Sequence, residues 1–131
     1  MTPTPDLPGG TLDLAVMDQL LSLDDGELGL LKEMFGLFQA DTPDRIKAME
    51  AVLGTGDLAD LADLAHAVKG AAGTMGAERM RTVAADLEAG ARQGTFAVPP
   101  AQLLAQLKET YAEALGALNA FITQREQHGS V

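Results

Sequence analysis

Residues 57–76 read DLADLADLAHAVKGAAGTMG. Wound as a helix at roughly 100° per residue, Leu58, Leu61, Ala65, Val68, Ala72 and Met75 recur at alternating steps of three and four, the pattern of a face packed into a helical bundle. His66 falls about 120° from the centre of that face, on a strip shared with Ala62, Lys69, Gly70 and Gly73. Glycine inside a helix costs roughly 1 kcal/mol relative to alanine, so Gly70 and Gly73 beside a solvent-facing imidazole need a reason. Close approach of another protein supplies one. No side chain one turn on shields the ring, and the Lys69 ammonium stands where an anion on the ring would sit.

The rest of the chain patterns as helices around this one. Residues 1–10 hold three of the six prolines and two glycines and read as a flexible arm. A short helix is expected over 12–21 with Leu14, Met17 and Leu21 inward, capping a bundle. Asp24-Asp25-Gly26-Glu27 resembles a capping box. A long helix should follow it, because Leu28, Leu31, Phe35, Phe38, Thr42, Ile46, Met49 and Leu53 keep the helical spacing through to Gly54. Pro43 falls inside that helix and predicts a bend, or a break into two. Asp57 is placed to cap the His66 helix, and Asp57, Asp60 and Asp63 near its start suit the helix dipole. The next helix begins near Ala77, buries Met80, Val83, Leu87 and Ala91, and stops at Gly94. Val98-Pro99-Pro100 opens the last helix, whose inward side is Leu104, Leu107, Tyr111, Ala114, Leu118 and Phe121. The domain is thus expected over 11–125, with 126–131, including His128, as a frayed tail.

Composition narrows the classes. A chain of 131 residues fits one domain, and a domain of that size buries about two thirds of its unfolded surface. With 47% hydrophobic but only 4% aromatic residues, an all-α fold is favoured over a β-rich one. The net charge of −10 argues against nucleic acid and favours partners with basic surfaces. There are no cysteines, which excludes disulfides and thiolate metal sites. No signal peptide and no membrane span of roughly 18 apolar residues appears, so a cytoplasmic, membrane-free protein is expected.

His66-x-x-Lys69-Gly70, then Gly76-Ala77, then Leu87-Glu88, resembles the signature of histidine-containing phosphotransfer (HPt) domains. The resemblance extends from Glu27 to about Phe121. It implies an antiparallel four-helix up-down bundle, here with an additional short N-terminal capping helix. It also implies that a surface histidine accepts phosphate from the aspartate of one response-regulator receiver domain and passes it to another. His66 matches the phospho-acceptor, Lys69 the adjacent lysine that steadies phosphoryl charge, and Gly70 the glycine that gives the receiver room. Ala62 and Gly73 on the same strip, and Glu88 and Arg92 on the next helix, then become partner-binding candidates. The implied partners are receiver domains, with a hybrid sensor kinase as a further candidate, and the helices pattern as a complete monomeric bundle. No cofactor or metal is expected on this chain; magnesium is expected on the receiver. The sequence departs from the family where serines and an asparagine commonly follow the Lys-Gly pair, having Ala71, Ala72 and Thr74 instead.

Plainer readings stand beside these. A lone exposed histidine is most often just solvated, and Glu88 with Arg92 also reads as an exposed i,i+4 ion pair worth roughly 0.2 to 0.5 kcal/mol. A di-metal carboxylate enzyme would need Glu-x-x-His pairs pointing into a bundle, and neither histidine sits in one. A phosphate-inactive interaction module that binds a receiver domain or another helical partner would keep the same bundle.

Overall fold

A computed structural model describes residues 12–23 and 28–129. Five helices follow in order: α1 (Leu14–Leu23), α2 (Gly29–Thr55), α3 (Leu58–Thr74), α4 (Glu78–Gln93) and α5 (Pro100–Gly129). The expected arm over 1–10 and the expected capping box over 24–27 lie outside the described residues. No described helix is long and apolar enough to cross a membrane.

Short turns force antiparallel neighbours. Gly56 and Gly94 close α2 and α4 in the left-handed conformation, at φ 75° and 76°, where glycine carries no Cβ penalty. The four long helices form a ring in which α2 packs on α3, α3 on α4, α4 on α5 and α5 back on α2, with α3 and α4 the most closely packed pair. Ion pairs Lys32–Glu126 and Glu50–Lys108 run between α2 and α5 near their opposite ends, in antiparallel register. Such exposed pairs add little energy, and the core carries the fold. Leu31, Met49, Leu61, Val68, Met80, Leu87, Leu107 and Leu118 are buried almost completely in it. Tyr111 closes the α2–α5 seam with its ring edge against Phe38, centroids 5.3 Å apart.

One open alternative is settled and two sequence expectations are corrected. Pro43 does not break α2, whose buried residues Phe38, Thr42, Ile46 and Met49 continue one face through it. The hydrogen bond lost at proline is outweighed by that uninterrupted burial against α3 and α5. Nor does α5 fray at Arg125; it runs to Gly129. Its last turns are held by the Arg125 guanidinium over the Phe121 ring at 5.0 Å and by the Lys32–Glu126 pair. Finally, Leu14 is 44% exposed rather than inward, because the Asp13 carboxylate accepts the Ala15 N–H at 2.9 Å and starts α1 one residue after itself. Leu12, Met17 and Leu20 are buried instead.

The α3–α4 turn is the seat of α1. Gly76 has φ 71°, and its carbonyl accepts the Asp13 N–H at 2.6 Å. A Cβ there would meet the Asp13 carbonyl at 3.1 Å and the Val16 and Met17 side chains at 3.2 Å. Only glycine fits both the conformation and the contact.

Gly90 is required for a different reason: an added Cβ would lie 2.3 Å from the Phe96 ring, which the α4–α5 loop lays across α4. Gly90→Ala is expected to destabilise the bundle by about 1–3 kcal/mol, read as a lower urea midpoint. Gly116→Ala, whose Cβ would enter open space on α5, is expected to stabilise the bundle by up to about 1 kcal/mol, read as a higher midpoint.

Candidate functional site

α3 is started by Asp57, whose carboxylate accepts the Asp60 N–H at 3.1 Å. Two and a half turns on, the His66 side chain is 63% exposed. Its Nδ1 lies 3.0 Å from Oε2 of Glu88 on α4. The same Oε2 accepts from Arg92 Nε at 3.0 Å and lies 2.9 Å from a second nitrogen of that guanidinium, while Oε1 faces Lys69 Nζ at 2.7 Å. One carboxylate thus gathers an imidazole, an ammonium and a guanidinium.

Glu88 itself is 8% exposed. Burial alone would favour its neutral form, but the Lys69 ammonium paired with Oε1 outweighs that, and the hydrogen bonds from Arg92 and His66 add to it, so its carboxyl falls from 4.5 to about 2. An ionised carboxylate only accepts, so Nδ1 is the ring nitrogen that carries the proton. Nε2 is left with the lone pair, on the edge of the ring turned away from Glu88. The arrangement presents an oriented imidazole beside two cations.

The structure brings His66, Lys69, Glu88 and Arg92 together. It revises the reading of Glu88 and Arg92 as an exposed pair, since the carboxylate is covered and tied to α3 as well. Around Gly70 there is open space, with no atom within 4 Å of where a Cβ would stand. The other two strip residues differ. Gly73 is half-buried, its missing Cβ 3.3 Å from Arg81 Cδ, so it makes room for α4. Ala62 is 1% exposed and offers no side-chain surface to a partner. Gly73 faces Arg81 of α4 and Ala62 is covered, whereas the strip is exposed at His66 and Gly70. The Thr74 hydroxyl donates to the Gly70 carbonyl at 3.0 Å, satisfying the backbone rather than the ring.

Sequence reasoning missed Leu37. It is 58% exposed on α2 beside a shallow groove of about 160 Å³ that also includes Met34, Arg45 and Ala71. The signal was present, since Leu37 is a large apolar residue one place off the buried face marked by Phe38. Among the described residues no group of His, Asp and Glu side chains is placed to hold a metal ion.

Compared with known proteins, the chain matches the Hpt domain family model over residues 33–127. It is similar in structure to histidine-containing phosphotransfer protein B (HptB) from Pseudomonas aeruginosa PAO1, with TM-score 0.77 and 24% identity over 92% of this chain and 98% of that one. It is also similar to histidine-containing phosphotransfer protein MtHPt2 from Medicago truncatula, with TM-score 0.73 and 21% identity over 92% of this chain and 82% of that one. At these identities the likenesses establish the shared fold. No curated protein matches the chain.

The depressed Glu88 pKa links the site to stability. The folded value lies below the unfolded one, so the contribution is present above about pH 4.5 and disappears as pH falls towards about 2. Urea midpoints of the native chain and Glu88→Gln are expected to differ most above about pH 5 and to converge below about pH 3. A gap that does not change with pH would show that Glu88 is not held ionised by the fold.

Proposed function

The chain belongs to the Hpt domain family, and on that premise we propose that His66 accepts a phosphoryl group from a receiver-domain aspartate and passes it to a second receiver domain. The family performs histidine phosphotransfer in two-component phosphorelays as a phosphocarrier, with receiver domains as partners. The observation that carries the assignment to this residue is an imidazole 63% exposed whose Nδ1 is held by a buried carboxylate at 3.0 Å.

In the accepting step the Nε2 lone pair attacks phosphorus in line with the bond to the receiver's aspartate. The N–P bond forms, the O–P bond breaks, and its electron pair stays on the departing carboxylate. No general base is needed, because the attacking nitrogen carries no proton. Phosphoryl transfer asks mainly for positioning and for cations near the transferring oxygens. Glu88 supplies the first by orienting the ring. Lys69, one turn away, supplies the second when its ammonium swings from Glu88 Oε1 to a phosphoryl oxygen. The receiver domain brings its own aspartate and magnesium ion, so this chain contributes no catalytic pocket.

Docking is read onto the open side of the ring. Gly70 leaves backbone clearance there, and Leu37, which shares a groove with Ala71 next to Gly70 in sequence, offers apolar contact area. Arg92, half exposed on the α4 side, is placed to meet an acidic residue of the incoming domain. The carrier acts as a cytoplasmic monomer, with a hybrid sensor kinase among its donors.

Incubation with a phosphorylated receiver domain is expected to label the native chain and not His66→Gln, with helix content by circular dichroism the same in both. Label kept by the variant excludes His66. An unlabelled native chain that still binds the receiver marks it as an interaction module. Gly70→Gln is expected to slow transfer at least about tenfold while thermal stability holds or rises, as glycine is replaced by a better helix former. An unchanged transfer rate in that variant would mean that the receiver does not approach over Gly70.

A further inference from the structure

We infer that Glu88 keeps the Nδ1 proton on the His66 ring after phosphorylation, so that the group released in the next transfer is neutral imidazole and the phosphoryl group can leave as readily as it arrives. The inference rests on the reading of His66 as the phosphoryl acceptor. It gives Glu88 a positioning role in the departing step that its exposure argues for, since a carboxylate 8% exposed presents little to a docking protein.

The charges balance as follows. Before transfer the ring is neutral, with a proton on Nδ1 and a lone pair on Nε2. Forming the N–P bond moves no proton, so the phosphorylated ring holds both Nδ1–H and Nε2–P and carries one formal positive charge. The N–H of such a ring is more acidic than that of the free imidazole. In the departing step an oxygen of the second receiver's aspartate attacks phosphorus, the N–P bond breaks, and its electron pair returns to Nε2. With Nδ1 still protonated, neutral imidazole leaves. Had that proton been lost, imidazolate would have to leave, a far stronger base and a far poorer leaving group.

The surroundings of the ring decide which of these holds. On α3, Asp63 and Lys69 stand one turn to either side. On α4, Glu88 and Arg92 face it. On α2, Asp41 and Arg45 border the groove beside Ala71, one turn further along α3. Glu88 is the group hydrogen-bonded to Nδ1, at 3.0 Å, where its carboxylate accepts the Nδ1–H. Lys69 and Arg92 repel the cationic ring, but each is tied to the same carboxylate. Because Glu88 stays ionised down to about pH 2, its contact is available across the whole working range.

The test uses the full chain and phosphoramidate, a small-molecule donor that needs no receiver. Phosphorus NMR detects the N–P bond, and long-range proton–nitrogen NMR follows Nδ1 protonation from about pH 5 to about pH 9. The native phosphorylated ring is expected to keep its proton at least about one pH unit higher than the ring of Glu88→Gln, a tenfold difference in proton affinity. Gln preserves an acceptor oxygen and removes only the charge. Transfer to a receiver domain should then fall with rising pH in the variant while the native rate holds. Arg92→Gln, which frees Oε2 of one competing cation, should move Nδ1 titration the other way and guards against misfolding of the Glu88 variant. Identical Nδ1 titration in all three proteins overturns the inference and leaves His66 as acceptor. An N–P signal missing from the native chain, or present in His66→Gln, removes the acceptor reading and this inference together.

Discussion

A buried carboxylate can remain charged only if the groups around it repay the lost hydration, and Glu88 is repaid by donors from two helices. Lys69 and His66 come from α3 and Arg92 from α4 itself, so the charge is satisfied only when the two helices meet in one register. A slip of one turn would strand the carboxylate without α3 partners. The interaction therefore fixes the α3–α4 register and the imidazole plane together, which is why the chemistry of the ring and the geometry of the hairpin are inseparable here.

The bundle supplies what a surface nucleophile lacks, a rigid mount. His66 sits near the middle of a helix whose opposite face, Leu61, Ala65, Val68 and Ala72, is buried almost completely. Its helix is closed at the far end by Gly76, over which α1 is seated through Asp13 and Met17. A group held this way presents a fixed edge to an incoming domain without the ordering cost that a loop would incur. The small residues along the strip serve two purposes. Gly73 makes room for Arg81 of α4, and Gly70 leaves the surface beside His66 open.

The helical architecture was legible because the three-and-four spacing is long and regular in every helix, and His66 with Lys69 and Gly70 was legible because they neighbour one another on a single helix. What crosses between helices was not. Glu88 carries a charge at a position that periodicity alone leaves at the edge of a face, and its burial follows from cations 19 residues away on α3 and four residues on in α4. Ala62 was misjudged because it lies some 40° nearer the buried face than His66, at roughly 100° per residue, and an alanine is small enough to be covered completely. The expected end of the last helix at Arg125 failed for a similar reason: the Lys32–Glu126 pair reaches across from α2, and a polar tail sequence does not announce it.

α4 walls one flank of the imidazole, and the surface beside Gly70 is open. Under the proposed assignment of His66, two domains that both need that ring cannot occupy it at once. The donor has to depart before the recipient arrives, so the throughput of the relay is governed by residence times and by the relative abundance of competing visitors, and an excess of spent donor acts as an inhibitor of onward flow without touching the chemistry.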